Sequence, residues 1–108
     1  MATQSVIITS TNYAQLPETE AVYAIYAQEK DTSKPINCRY VGQTDNLRRR
    51  TGEHFSPDEP NECLREFMQS TKTKILVYEL MPGSTEDERR AVEEAWIKEL
   101  NPKCNKPD

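Results

Sequence analysis

Three residues that could do chemistry together sit at positions where local periodicity calls for packing: Glu93, Arg50 and His54. Toward the C-terminus, Val92, Ala95, Trp96, Ile97 and Leu100 form one apolar stripe at the helical period. Glu93 lies inside that stripe, being spaced i, i+3, i+4, i+7 with Trp96, Ile97 and Leu100, whereas Glu94 and Lys98 turn away. A carboxylate on a core-facing sector is costly unless it is paired or binds a metal. A helix-edge glutamate and an ion pair with a buried arginine stay open beside the metal-binding or catalytic reading. In the arginine-rich stretch, Leu47, Thr51 and Phe55 mark the packing side. Arg50 and His54, four apart, share it, while Arg49 points outward. Arg48 and Arg49 read as a solvated basic face, and a lone histidine is commonly structural.

Arginine grips an anionic oxygen with planar geometry. Glutamate is a hard oxygen ligand for Mg²⁺ or Mn²⁺, and histidine accepts or relays a proton near neutral pH. Such a set suits phosphodiester hydrolysis, in which a metal stabilises the leaving oxygen and arginine offsets charge on the phosphorus oxygens.

These residues need elements to hold them. Ser5 to Thr9 is a short β-prone start, and Thr11 to Pro17 is a polar connection or one helical turn. Ala21 to Ala27 and Ile36 to Gly42 read as strands of an antiparallel hairpin, with a Lys30-Asp31-Thr32-Ser33 turn signal between them. Alternation puts Tyr23 with Ile25, and Tyr40 with Ile36 and Cys38. Thr44-Asp45 offers an N-cap for a helix from about Asn46 to Phe55, though Gly52 weakens it. Ser56 to Pro60 breaks the chain before a helix over Asn61 to Gln69, and Thr73 to Met81 is a third strand. Two overlapping capping boxes, Ser84/Asp87 and Thr85/Glu88, open a last helix that Asn101-Pro102 ends. The order β-β-α-α-β-α, without βαβ alternation, predicts an α+β fold with a small three-stranded antiparallel sheet flanked by helices.

The 108 residues make a single domain over residues 1–108, with 35% hydrophobic and 30% charged residues. No apolar run approaches the ~20 residues of a membrane span, so no membrane role is expected. No secretory signal is visible, and a cytoplasmic location is the expectation. Cys38, Cys63 and Cys104 are odd in number and scattered, which predicts reduced thiols rather than a disulfide or zinc site. Fourteen Lys and Arg against eighteen Asp and Glu leave a net charge of −4. Nucleic-acid binding therefore has to come from a local patch, for which Arg39, Arg48, Arg49 and Arg50 are the candidates.

Ala21-Val22-Tyr23 followed by Tyr40-Val41-Gly42 resembles the paired tripeptides of the GIY-YIG nuclease family, which includes homing endonucleases and the N-terminal catalytic domain of an excision-repair nuclease. The likeness continues through Arg50, eight residues after the glycine, and His54, four further on. It resumes at Glu93 before Trp96-Ile97 and closes on Leu100-Asn101-Pro102 and Asn105, so it spans residues 21–105. The resemblance implies a DNA endonuclease using one divalent metal, Mg²⁺ or Mn²⁺, in a repair, recombination or mobile-element setting. By the same resemblance Glu93 holds the metal and Arg50 contacts the scissile phosphate. Tyr23 or Tyr40, with His54, orients or deprotonates the attacking water, and Asn105 supports the site.

Two departures stand out. Ala21 replaces the first glycine of the motif, and 108 residues leave no room for an attached DNA-binding module. DNA affinity is then expected to be weak and salt-sensitive, with targeting from a partner protein, oligomerisation or a structured substrate such as branched or nicked DNA. The alternatives are a nucleic-acid- or protein-binding module that keeps the fold without the activity, and a small interaction protein with a redox-active Cys38 or Cys63.

Overall fold

A computed structural model describes residues 3–28 and 35–105 of the chain. Four strands, β1 (Gln4–Ile8), β2 (Ala21–Gln28), β3 (Pro35–Thr44) and β4 (Lys74–Leu80), are interspersed with helices α1 (Leu47–His54), α2 (Glu62–Gln69) and α3 (Glu86–Leu100). Short 3-10 turns cover Asn12–Gln15 and Lys103–Asn105. The fold is α+β, as the element order predicts, but the antiparallel sheet has four strands in the order β1-β4-β2-β3. The β-prone start is the added strand: Val6 pairs with Leu76 and Ile7 with Ile75 on the outer side of β4. Local pattern marks such a segment as β-prone but carries no record of a partner about 70 residues away. The turn signal at Lys30 to Ser33 lies outside the described residues. No helix among the described residues is long and apolar enough to cross a membrane.

The two faces of β2 divide the molecule. Tyr23, Ile25 and Ala27 join Leu76 and Tyr78 under Leu47, Leu64, Phe67 and Met68 in the core. Ala24, Tyr26, Val77 and Glu79 face the side that α3 covers through Trp96 and Leu100. Ala21 also lies wholly in the core, so the methyl that departs from the motif is a packing group.

Local chemistry sets the helix ends. Asn46, not Thr44 or Asp45, caps α1 by accepting from the Arg49 amide, and Thr44 instead hydrogen-bonds Asn46. Gly52 does not break α1, and a Cβ there would stand 2.4 Å from the Tyr13 ring; the glycine admits that ring. Of the two capping boxes, Thr85/Glu88 forms. The α3 stripe is half-buried and Ala95 is exposed, so this helix covers the sheet more loosely than the periodicity suggests.

Two further expectations are corrected. The hairpin is not in simple alternation: Ile25 opposes Tyr40 but Tyr26 opposes Cys38, which leaves Arg39 as the extra residue of a β-bulge. Tyr40 therefore shares the Ile25 face, while Cys38 turns to the other. And Cys63 and Cys104 form a disulfide, 5.3 Å between Cα atoms, which ties α2 to the final turn. Residues 41 apart in sequence meet only once the fold brings the C-terminal turn onto α2, which no local spacing signals. Cys63 is thus no free redox thiol, and burial pushes the remaining thiol, Cys38, up to about 11, leaving it protonated near neutral pH.

Candidate active site

Tyr23 is fully buried on the core face of β2, opposite Gly42 of β3. The pairing explains the glycine: a Cβ at Gly42 would lie 2.6 Å from the Tyr23 hydroxyl and 2.9 Å from the Tyr40 ring. The two tyrosines lean together with ring centroids 6.2 Å apart. His54, at the end of α1, closes the group, its ring 5.7 Å from Tyr23 and 5.2 Å edge-on from Tyr40.

A hydrogen-bonded chain runs through this cluster. The Tyr23 hydroxyl lies 2.6 Å from His54 Nε2, and His54 Nδ1 meets the Glu59 carboxylate. Glu59 is itself buried and accepts a further bond at 3.0 Å from the Asn61 amide. Burial holds the His54 imidazole below its ordinary range despite the Glu59 carboxylate, so it is neutral at pH 7. Burial alone would push the Glu59 carboxyl up, but the His54 and Asn61 N–H donors outweigh it and keep the group ionised. With Glu59 accepting only, the neutral ring carries its proton on Nδ1 and Nε2 accepts from the Tyr23 O–H.

Glu59 is the member that sequence patterns do not reveal. It sits in the Ser56 to Pro60 segment that reads as a helix breaker, and turn chemistry gives no hint of an inward carboxylate. The one available signal is compositional, an acidic stretch with no base beside it.

Arg50 lies at the mouth of the cluster, its side chain 29% exposed, bridged to Glu53 at 3.1 Å. The nearby Arg50 charge lowers both hydroxyls, yet burial dominates and both tyrosines titrate above their usual range. Positive charge from Arg50 alone therefore does not make either tyrosine a phenolate near pH 7.

Glu93 reaches the same region from α3. Burial raises its carboxyl, and the Arg90 charge partly offsets this. Its charge acts in turn on Tyr40 and Tyr23. Asn105 binds β3 at Val41, two residues before Gln43. Its Oδ1 accepts from Val41 N at 2.7 Å, and its Nδ2 donates to Val41 O at 2.9 Å. Asn105 thus covers the outer edge of β3 at Val41, beside Gly42. Buried Arg89, also unforeseen, holds the Gln43 side chain at 2.9 Å and the Ser84 carbonyl at 2.7 Å, docking the start of α3 on this edge.

Among the described residues no three His, Cys, Asp or Glu side chains gather as a metal cage. The donor set at the cluster fits one carboxylate ligand, Glu93, with water and substrate oxygens completing the shell, as suits Mg²⁺ or Mn²⁺.

The arginines of the expected basic patch are largely ion-paired. Arg48 is tied to the Leu16 carbonyl at 2.7 Å and to Glu18, and Arg49 bonds Asp45 and approaches Glu53 at 3.7 Å. Arg39, turned by the bulge, lies over the Phe67 ring of α2 at 5.1 Å.

The model of the GIY-YIG catalytic domain matches residues 20–106. Solved structures with a similar fold include two of the GIY-YIG N-terminal endonuclease domain of UvrC from Thermotoga maritima, both point mutants bound to its catalytic divalent cation. They are 20% and 21% identical to this chain, with TM-scores of 0.61 and 0.57, and each match covers 89% of this chain and 92% of the other. No curated protein sequence matches the chain.

Proposed function

We propose that this chain, which belongs to the GIY-YIG family, is an endonuclease that hydrolyses DNA phosphodiester bonds with the help of a divalent cation, Mg²⁺ or Mn²⁺. The observation that carries the reading is the buried Tyr23–His54–Glu59 chain, set behind Tyr40, Arg50 and Glu93. A purely structural domain gains nothing from placing a histidine, two carboxylates and an arginine around two touching tyrosines, since each polar group has a desolvation cost.

The roles follow from reach. Tyr40 retains surface and lies within reach of the Arg50 charge, whereas Tyr23 is wholly buried, so Tyr40 is the hydroxyl that meets the attacking water. Tyr23, held by His54 and Glu59, packs behind Tyr40 and fixes its ring. Arg50 grips the phosphate oxygens, on which charge develops as the bond to water forms. Glu93 holds the cation. A bound cation would supply positive charge for the leaving oxygen and beside the Tyr40 hydroxyl. Asn105 positions Tyr40 and Gly42 by clamping Val41 between them.

The candidate settings are repair, recombination or a mobile element, with branched or nicked DNA as substrates and a partner protein for targeting. The ion-paired Arg48 and Arg49 favour weak intrinsic DNA affinity and give the alternative, a binding module without activity, its support. Nicking of supercoiled plasmid and branched DNA at low salt decides between them. Cleavage with Mg²⁺ or Mn²⁺ that chelator abolishes supports the endonuclease. Binding without cleavage by the folded protein supports the module.

A further inference from the structure

Glu79 lies on β4 opposite Val22, on the face turned away from Tyr23. It is 7% exposed, and one of its carboxylate oxygens is buried with no hydrogen-bond partner among the described residues. An unpaired carboxylate oxygen in such a place is costly, and the described residues supply nothing to offset it. The residue lines a groove of about 250 Å³ between β4 and α3, with Tyr26, Val77, Trp96 and Leu100 as its apolar walls. Glu99 adds a second carboxylate at the rim, close enough for its charge to act on the Tyr26 hydroxyl. None of the described lining residues is cationic.

Two acids and two aromatic rings around one small groove define the chemistry of an occupant. The two carboxylates repel a phosphate from the groove. The volume falls short of the ~300 Å³ at which small-molecule sites begin, and suits a single long side chain. A guanidinium matches every wall. Its planar face stacks on tryptophan and tyrosine, and its donors fork onto a carboxylate. An ammonium would satisfy the charge but not the planar contact.

We propose that the groove between β4 and α3 receives an arginine side chain of a partner protein, held by Glu79 and Glu99 between Tyr26 and Trp96. Because the groove lies behind the sheet, a partner seated there leaves the Tyr23–Tyr40 face open to DNA.

Trp96 is the only tryptophan in the chain, so its fluorescence reports on the groove directly. The probe is a capped Gly-Arg-Gly tripeptide, with Gly-Lys-Gly and Gly-Glu-Gly for comparison, titrated into the intact protein. The expected result is a saturable change with the arginine peptide at a dissociation constant on the order of millimolar. Binding of the lysine peptide is weaker, and the glutamate peptide gives no response. Glu79→Gln, isosteric and neutral, weakens the arginine peptide by about tenfold or more. Glu99→Gln, at an exposed position that folding does not depend on, weakens it by up to about fivefold. No saturation, equal responses to the arginine and glutamate peptides, or unchanged binding in both variants would overturn the assignment. A dimer in sedimentation that the arginine peptide dissociates would overturn the partner protein in favour of a second copy of the chain.

Discussion

Reduction of the Cys63–Cys104 disulfide should destabilise the fold by an amount that its position allows to be worked out. The bridge spans 41 residues of sequence. Closing a loop of that size removes about 13 cal/mol/K of chain entropy from the unfolded state, or about 4 kcal/mol at 25 °C. A 108-residue domain unfolds with an entropy of about 0.2 kcal/mol/K near its midpoint, so reduction should lower Tm by about 15–20 °C. The effect should reach the candidate site, because Cys104 directly precedes Asn105, which clamps Val41 beside Tyr40. Asn61, the α2 cap that donates to the Cys104 carbonyl at 3.0 Å, remains as the second tie between these elements. The assay is urea or thermal unfolding of the oxidised protein and of the Cys63→Ala variant, followed by circular dichroism with and without a dithiol reductant. Reductant should shift the wild type to the stability of the variant and leave the variant unmoved. A shift below about 1 kcal/mol, or the same shift in Cys63→Ala, would refute the reasoning.

The other expected outcomes concern the cluster. Gly42→Ala forces a methyl against Tyr23 and Tyr40, and should cost about 1–3 kcal/mol of stability and most of the nicking rate; a normal rate would mean that the tyrosines do not need their present packing. Arg49 is exposed and engaged with acids, so Arg49→Ala should change stability by under about 0.5 kcal/mol and leave nicking nearly intact. Arg50→Ala should slow nicking by about 10²-fold or more, and equal losses in the two variants would reduce the triplet to a basic surface. His54 and Glu59 both titrate below their ordinary values when folded, so the unfolded chain binds more protons on the acid side. Urea midpoints should therefore fall as pH drops from about 7 to about 5, first through His54 and then through Glu59. The raised Glu93 carboxyl works in the opposite sense, so Glu93→Gln should steepen that fall, and a midpoint that rises on acidification contradicts the buried neutral imidazole.

Periodicity alone singles out Glu93, Arg50 and His54, because a polar residue on a packing face breaks a pattern that the chain otherwise keeps. The structure sets His54 against Tyr23 and Tyr40 and brings Arg50 and Glu93 close enough for their charges to act on both. What stays hidden depends on partners far apart in sequence or on the path of the backbone. Glu59 reads as part of a turn, since nothing local shows that His54 waits five residues back at the end of a helix. Arg39 reads as a neighbour of the α1 arginines until the bulge turns it onto Phe67. The fourth strand is visible as a β-prone segment, but its place beside β4 is not. Gly52 reads as a weakness in its helix and proves to be the seat of the Tyr13 ring.

The proposed chemistry rests most heavily on Glu93 as the single carboxylate for the cation. The most direct measurement is plasmid nicking by Glu93→Gln and wild type side by side, across Mg²⁺ and Mn²⁺ concentrations, with Tm recorded for both. The expected result is a loss of about 10²-fold or more in nicking at every metal concentration, with Tm held, because a half-buried carboxyl already pushed toward its neutral form tolerates an amide. Wild-type nicking by a folded Glu93→Gln protein would contradict it.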